Sequence, residues 1–245
     1  MKPLKQRLVV AGIPLILSVP ENPQAWVLFL HGAGGCKERS VRLAGAFNRR
    51  GLASAHPDAP LHGERSQDEW RFDRKDMANY IEGVARAIAA QVAELPALAA
   101  ELAGLPQLAG LPMTAAGASM GGYVWHELIS RELLRPKAVA ILISSAYPLD
   151  VPHDFVSKYP ELRQAYQNPP ARRAAAYPPT PLLHLHGQRD PIVPLKRMQD
   201  TIAALEPYYS ERDGRLAQAV FAGVGHELPA AMLEQAAAWL EFWGV

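Results

Sequence analysis

The sequence predicts an α/β protein: a mostly parallel sheet of eight strands, covered by helices on both faces, with a small cap-like insertion at about 148–180. Three observations predict it. Apolar runs rich in Val, Ile and Leu alternate along the chain with longer segments of helical spacing. Some of these runs, such as AWVLFLHG (25–32), are apolar at consecutive positions, which a strand tolerates only when both of its faces are buried. A chain of 245 residues with 49% hydrophobic content can also bury a sizeable core as one domain, and no linker divides it.

Taken in order, RLVVAG (7–12) and PLILSVP (14–20) are separated by almost nothing and suit an antiparallel hairpin at a sheet edge. The buried strand 25–32 follows and ends in HGAGG. A helix is expected over 38–51, with Arg49 and Arg50 near its negative end and Gly51 as the stop. LASAHPDAP (52–60) is the fourth strand. From 74 to 94 the pattern is helical, with Met77, Tyr80, Ile81, Val84 and Ile88 on a face expected to lie on the sheet. Residues 95–112, which repeat Ala, Leu, Gly and Pro irregularly, read as broken helix and connection.

MTAAGAS (113–119) is a strand and YVWHELISREL (123–133) belongs to the helix leaving it. KAVAILISSAY (137–147) is another buried strand, followed by about thirty residues dense in proline and aromatics, where a cap over a pocket would sit. PLLHLHG (181–187) and RLAQAVFAG (215–223) are the last strands, with the helix LKRMQDTIAAL (195–205) between them. An amphipathic helix over 228–244 closes the chain, with Trp239, Phe242 and Trp243 expected to anchor it in the core.

Composition excludes several classes of function. Lys and Arg total 25 against 24 Asp and Glu, with no block of like charge, so nothing marks a nucleic-acid or membrane-surface partner. The single cysteine, Cys36, rules out an intramolecular disulfide and is compatible with a cytoplasmic location. The N-terminal stretch carries prolines within its apolar run and no cleavage signature, so it reads as strands, and no run is apolar enough for a membrane helix. Oligomeric state is left open.

The chemistry centres on GASMGG (117–122). Gly117, Ser119 and Gly121 fit the pattern G-x-S-x-G between a strand and a helix, which suits either a nucleophile on a strained turn or a glycine-rich connection. A serine hydroxyl is a poor nucleophile, so the first reading demands a base and an orienting acid. Asp190, in HGQRDPIVP, and His226, in AGVGHELP, each follow a strand, where open α/β sheets place their sites. The chain order is then Ser, Asp, His. Asp200 and Glu206 are rivals for the acid, but both fall within or at the end of a helix.

On these residues, and on VLFLHGAGG and PDAPLHGER, the chain resembles the α/β-hydrolase superfamily. It is most similar to the compact bacterial esterases near dienelactone hydrolase and to esterase-like relatives of prolyl oligopeptidase. The resemblance covers nearly the whole chain and implies an α/β-hydrolase fold. It implies Ser119 as nucleophile, His226 as base and then acid, and Asp190 as the group holding the imidazole tautomer. An oxyanion hole is expected from the N–H of Met120 and one from the HGAGG loop, either Ala33 or Gly34. Dienelactone hydrolase has cysteine at the elbow, so its lactone chemistry is not carried over.

Other residues have plainer readings. His31 is expected to brace the loop after its strand. His184 and His186 alternate along a strand without a third partner, so no metal site is expected. Asp58, His62, Glu64 and Arg65 suit either pocket lining or a hydrogen-bonded loop. Cys36 is read as a small packing residue. Phe155, Tyr159 and Tyr166 suit either a pocket wall or packing of the insertion. The expected activity is cofactor-free cleavage of a small ester of short to medium acyl length, with rates falling in acid as the imidazole protonates. A peptidase or thioesterase, and a non-catalytic binding module, are the alternatives.

Overall fold

The structure is a computed structural model that describes residues 3–70, 72–73, 75–151, 153–210 and 214–245; at 153–155, 160 and 161 only the backbone is described. Its strands are β1 (Leu4–Val10), β2 (Ile13–Val19), β3 (Ala25–Leu30), β4 (Leu52–Pro57), β5 (Met113–Ala118), β6 (Val139–Leu142), β7 (Leu182–Gly187) and β8 (Leu216–Phe221). They form one sheet in the order β1-β2-β4-β3-β5-β6-β7-β8. The β1–β2 hairpin lies at the edge as expected; β1 pairs antiparallel with β2 and β2 with β4, whereas the remaining pairs are parallel.

Alternation along β3 shows why its apolar run is continuous. Trp26, Leu28 and Leu30 enter the core on one face of the sheet, and Ala25, Val27 and Phe29 enter the core on the other. Each face has its own helices. Against the first lie α3 (Met77–Ala103) and α4 (Met120–Ser130), through residues such as Leu98 and Leu128. Against the second lie α2 (Ala44–Asn48) and α8 (Ala230–Gly244), through Phe47 and Leu240. The remaining helices are α1 (Lys37–Ser40), α5 (His153–Lys158), α6 (Pro160–Gln167) and α7 (Leu195–Leu205), of which α5 and α6 fall in the insertion. Among the described residues no helix is long and apolar enough to cross a membrane.

Three expectations are corrected. The helix expected over 38–51 is instead α1, a 3₁₀ turn Val41–Leu43, and α2. The tighter turn lets Val41 and Ala44, three residues apart, pack together on Ile16. The stretch 95–112 is not broken at its start, because α3 continues through Pro96 to Ala103. A proline inside a helix loses a backbone bond and costs about 3 kcal/mol. Burial of Leu95, Leu98 and Leu102 offsets it, at about 1.5–3 kcal/mol for each side chain. Finally, Phe242 is 75% exposed, whereas Trp239 and Trp243 are half-buried and pack against the core as expected. The anchors of α8 are Met232, Ala236, Ala237 and Leu240, on the helical face that meets the sheet.

Candidate active site

The turn from β5 into α4 sets Ser119 at φ 53° and ψ −117°, a backbone conformation that side chains rarely adopt. Packing holds it there. A Cβ at Gly117 would sit 2.5 Å from the Gly121 carbonyl oxygen, and one at Gly121 would sit 2.2 Å from that of Leu30. Only glycine lets strand, turn and helix approach this closely. The Ser119 N–H donates to Leu142 O at the tip of β6 (2.9 Å), and the Ser144 hydroxyl donates to Ser119 O (2.8 Å).

His226 and Asp190 come to this serine from the loops after β8 and β7. His226 Nε2 lies 3.0 Å from Ser119 Oγ, and His226 Nδ1 lies 2.8 Å from Asp190 Oδ2. The other carboxylate oxygen of Asp190 accepts N–H bonds from Ile192 (2.8 Å) and Val193 (2.9 Å). Burial raises the Asp190 pKa, but the bonds from His226, Val193 and Ile192 together outweigh it and hold the group below the ordinary carboxylate value. An ionised Asp190 requires the proton on Nδ1. Nε2 is then left as an acceptor for the Ser119 hydroxyl.

The rivals lie elsewhere: Asp200 forms an exposed pair with Lys196, and Glu206 lies at an exposed helix end. Ala33 and Met120 line the same pocket as Ser119, whereas Gly34 does not. Among the described residues neither the Ala33 nor the Met120 N–H has an acceptor.

His31 braces the loop. Its Nε2 accepts from the Ala59 N–H (3.1 Å), which leaves Nδ1 to donate to Gly32 O (2.8 Å). Burial, the largest influence, keeps the ring neutral by lowering its pKa. His31 packs edge-on to His62, and His62 stacks on Phe72 at 3.8 Å. Asp58 accepts from the Lys37 ammonium (2.6 Å) and from the Lys37 and Glu64 N–H groups, while Arg65 forms a bidentate pair with Glu94. Of the two readings left open for PDAPLHGER, the hydrogen-bonded loop is the one the contacts match.

His184 is buried and stacks on His126 at 5.0 Å; His186 donates to Val193 O, 2.8 Å away. Among the described residues no group of three His, Cys, Asp or Glu side chains could hold a metal ion. Cys36 is half-buried at the start of α1.

A cavity of about 220 Å³ opens beside Ser119. The face of α3 expected to lie on the sheet lines this cavity instead, through Tyr80, Ile81, Val84 and Ile88, while Met77 is exposed. Tyr166 is also a wall residue; Tyr159 is not, and the side chain of Phe155 lies outside the described residues. Sequence reading missed Tyr123 and Glu127 on α4 and Arg131 just beyond its end, which line the cavity. The signal was their spacing of four from Ser119 onward, which puts all of them on one helical face.

A mostly parallel sheet in this strand order, with a serine elbow after β5 and a serine–histidine–aspartate chain across the strand tips, matches the α/β-hydrolase fold. The chain has the α/β-hydrolase fold. Among particular relatives, the crystal structure of TT1662 from Thermus thermophilus superposes with a TM-score of 0.90 at 40% identity, over 99% of this chain and 98% of that one. YitV of Bacillus subtilis (strain 168), a proposed esterase, is 24% identical over 255 residues, covering 95% of this chain and 96% of that protein. A dienelactone hydrolase from Anabaena variabilis ATCC 29413 shares the fold over the full length of both chains, with a TM-score of 0.69 at 19% identity. No protein-family model matches the chain.

Proposed function

We propose that this protein is a serine hydrolase that cleaves carboxylic esters through an acyl-enzyme. One observation carries the reading: Ser119, His226 and Asp190 are linked by hydrogen bonds of 3.0 and 2.8 Å at the edge of a largely apolar cavity. Ser119 Oγ attacks the ester carbonyl as its proton passes to His226 Nε2. The carbonyl oxygen becomes an oxyanion held by the N–H groups of Met120 and Ala33. Collapse breaks the bond to the alcohol oxygen, which takes the proton from Nε2 and leaves. Water then attacks the acyl-enzyme, giving its proton to Nε2, and the acid departs as Ser119 regains a proton.

Asp190 stabilises the imidazolium that forms in both halves. These steps use only side chains, backbone amides and water. A cavity of this volume suits an acyl group of short to medium length. The test is a fluorophosphonate probe with a panel of p-nitrophenyl esters, thioesters and aminoacyl amides. Labelling at Ser119 with ester turnover is expected; an unlabelled Ser119 in folded protein would point to the binding module.

A further inference from the structure

The cavity beside Ser119 is largely apolar, and its lining includes one charged pair, Glu127 and Arg131. Ser119 just before α4, Tyr123 and Glu127 on it, and Arg131 just after it follow one another at intervals of four, and all line the cavity. Facing them from α3 are Ile81, Val84, Ile88 and Val92. Glu127 is eight residues beyond Ser119, about 12 Å along the helix axis.

Glu127 is only 3% exposed, and it is not alone. Its Oε2 accepts from Arg131 Nε (2.7 Å) and Arg173 Nη2 (2.8 Å), and its Oε1 accepts from the Tyr123 hydroxyl (3.2 Å). Two guanidiniums thus meet one carboxylate, and the cluster keeps one uncompensated positive charge. Every guanidinium nitrogen of Arg173 has an acceptor, because it also donates to Ser130 Oγ and Asn168 O. Arg131 differs: among the described residues neither of its Nη groups has an acceptor. A guanidinium with both Nη groups available matches a carboxylate in bidentate geometry, and the Arg131 side chain is 36% exposed, so solvent and salt reach it and moderate that attraction.

We infer that Arg131 forms a carboxylate subsite at the far end of the acyl pocket, and that the preferred substrates are esters whose acyl chain ends in a second, free carboxylate. This rests on the hydrolase reading above and adds the substrate class to it. A chain of about eight carbons is suited to the roughly 12 Å between Ser119 and the ion cluster. Side chains on a helix lean toward its N-terminus, so the Arg131 guanidinium returns to the level of Glu127 and does not extend the span.

The experiment compares two esters of equal length, p-nitrophenyl octanoate and the mono-p-nitrophenyl ester of octanedioic acid. Wild-type kcat/KM is expected to favour the octanedioate ester, and added salt is expected to reduce that preference. Arg131→Gln is expected to lower the octanedioate-to-octanoate ratio by about tenfold or more, from loss of a charge-assisted pair. Arg131→Lys, which keeps the charge without the fork, is expected to fall between the two. A wild-type preference for octanoate, or a ratio unmoved in a folded Arg131→Gln protein, would overturn the carboxylate subsite. Should Arg131→Gln fail to fold, the wild-type ratio and its salt dependence decide. Octanoate turnover that is lost in Ser119→Ala keeps the hydrolase reading standing whichever way the ratio goes; no turnover of either ester, with Ser119 unlabelled, removes both.

Discussion

His226 Nε2 lies 3.0 Å from Ser119 Oγ, although the two residues are 107 positions apart in the chain. The contact forms because β5 and β8 run parallel within one sheet, so the loops that leave them emerge at the same rim. An imidazole whose Nδ1 is bonded to Asp190 is fixed in orientation and tautomer before any substrate arrives.

Replacing the proposed nucleophile should be decisive. Ser119→Ala is expected to reduce p-nitrophenyl ester turnover by about 10⁶-fold with folding intact. Steady-state kinetics on protein with an unchanged circular dichroism spectrum measures this, and a variant keeping a tenth of the activity would remove Ser119 from the role.

The elbow leaves no room for a side chain at Gly121. Gly121→Ala would set a methyl 2.2 Å from the Leu30 carbonyl oxygen, where backbone and not a flexible side chain must move. A loss of at least about 1–3 kcal/mol is expected, the usual range for overpacking, together with a collapse of activity as Ser119 shifts. Urea unfolding and ester assays report the two separately.

Leu98 tests the helix beyond Pro96. It is fully buried in the core shared with β3 and α4. Leu98→Ala should therefore cost about 2–5 kcal/mol, whereas a residue in an irregular connection would cost far less. The urea midpoint distinguishes them.

Stability should fall in acid through buried histidines. Burial lowers His56 to about 3, aided by the charge of Lys5; it lowers His62 to about 4 against an opposing bond to Pro60 O; and it lowers His126 to about 3. Unfolded, each would titrate near 6.5. Between about pH 3 and 6.5 the unfolded chain thus binds more protons, so stability rises with pH there and is lost as pH falls below 6.5. Each group contributes a slope of up to about 1.4 kcal/mol per pH unit. Melting temperatures measured from pH 7.5 down to 4.5 should decline, and less steeply in His126→Gln; a constant value would contradict burial of these rings as neutral groups.

Much of this was legible in one dimension. AWVLFLHG announces a strand buried on both faces because alternation disappears when both sides meet protein. GASMGG, HGQRDPIVP and GVGHE announce Ser119, Asp190 and His226, the residues of the proposed triad, because each follows a strand, which is a local property of the chain. Backbone conformation and periodicity are set by near neighbours, so sequence alone could name the sheet, the hairpin and the three side chains. Which helical face meets what depends on elements far apart, and only the tertiary structure decided that. It turned Tyr80, Ile81, Val84 and Ile88 toward a cavity and not the sheet, carried α3 past Pro96 because leucines beyond it found a core, left Phe242 in solvent, and brought Arg173 to Glu127 across 46 positions of chain.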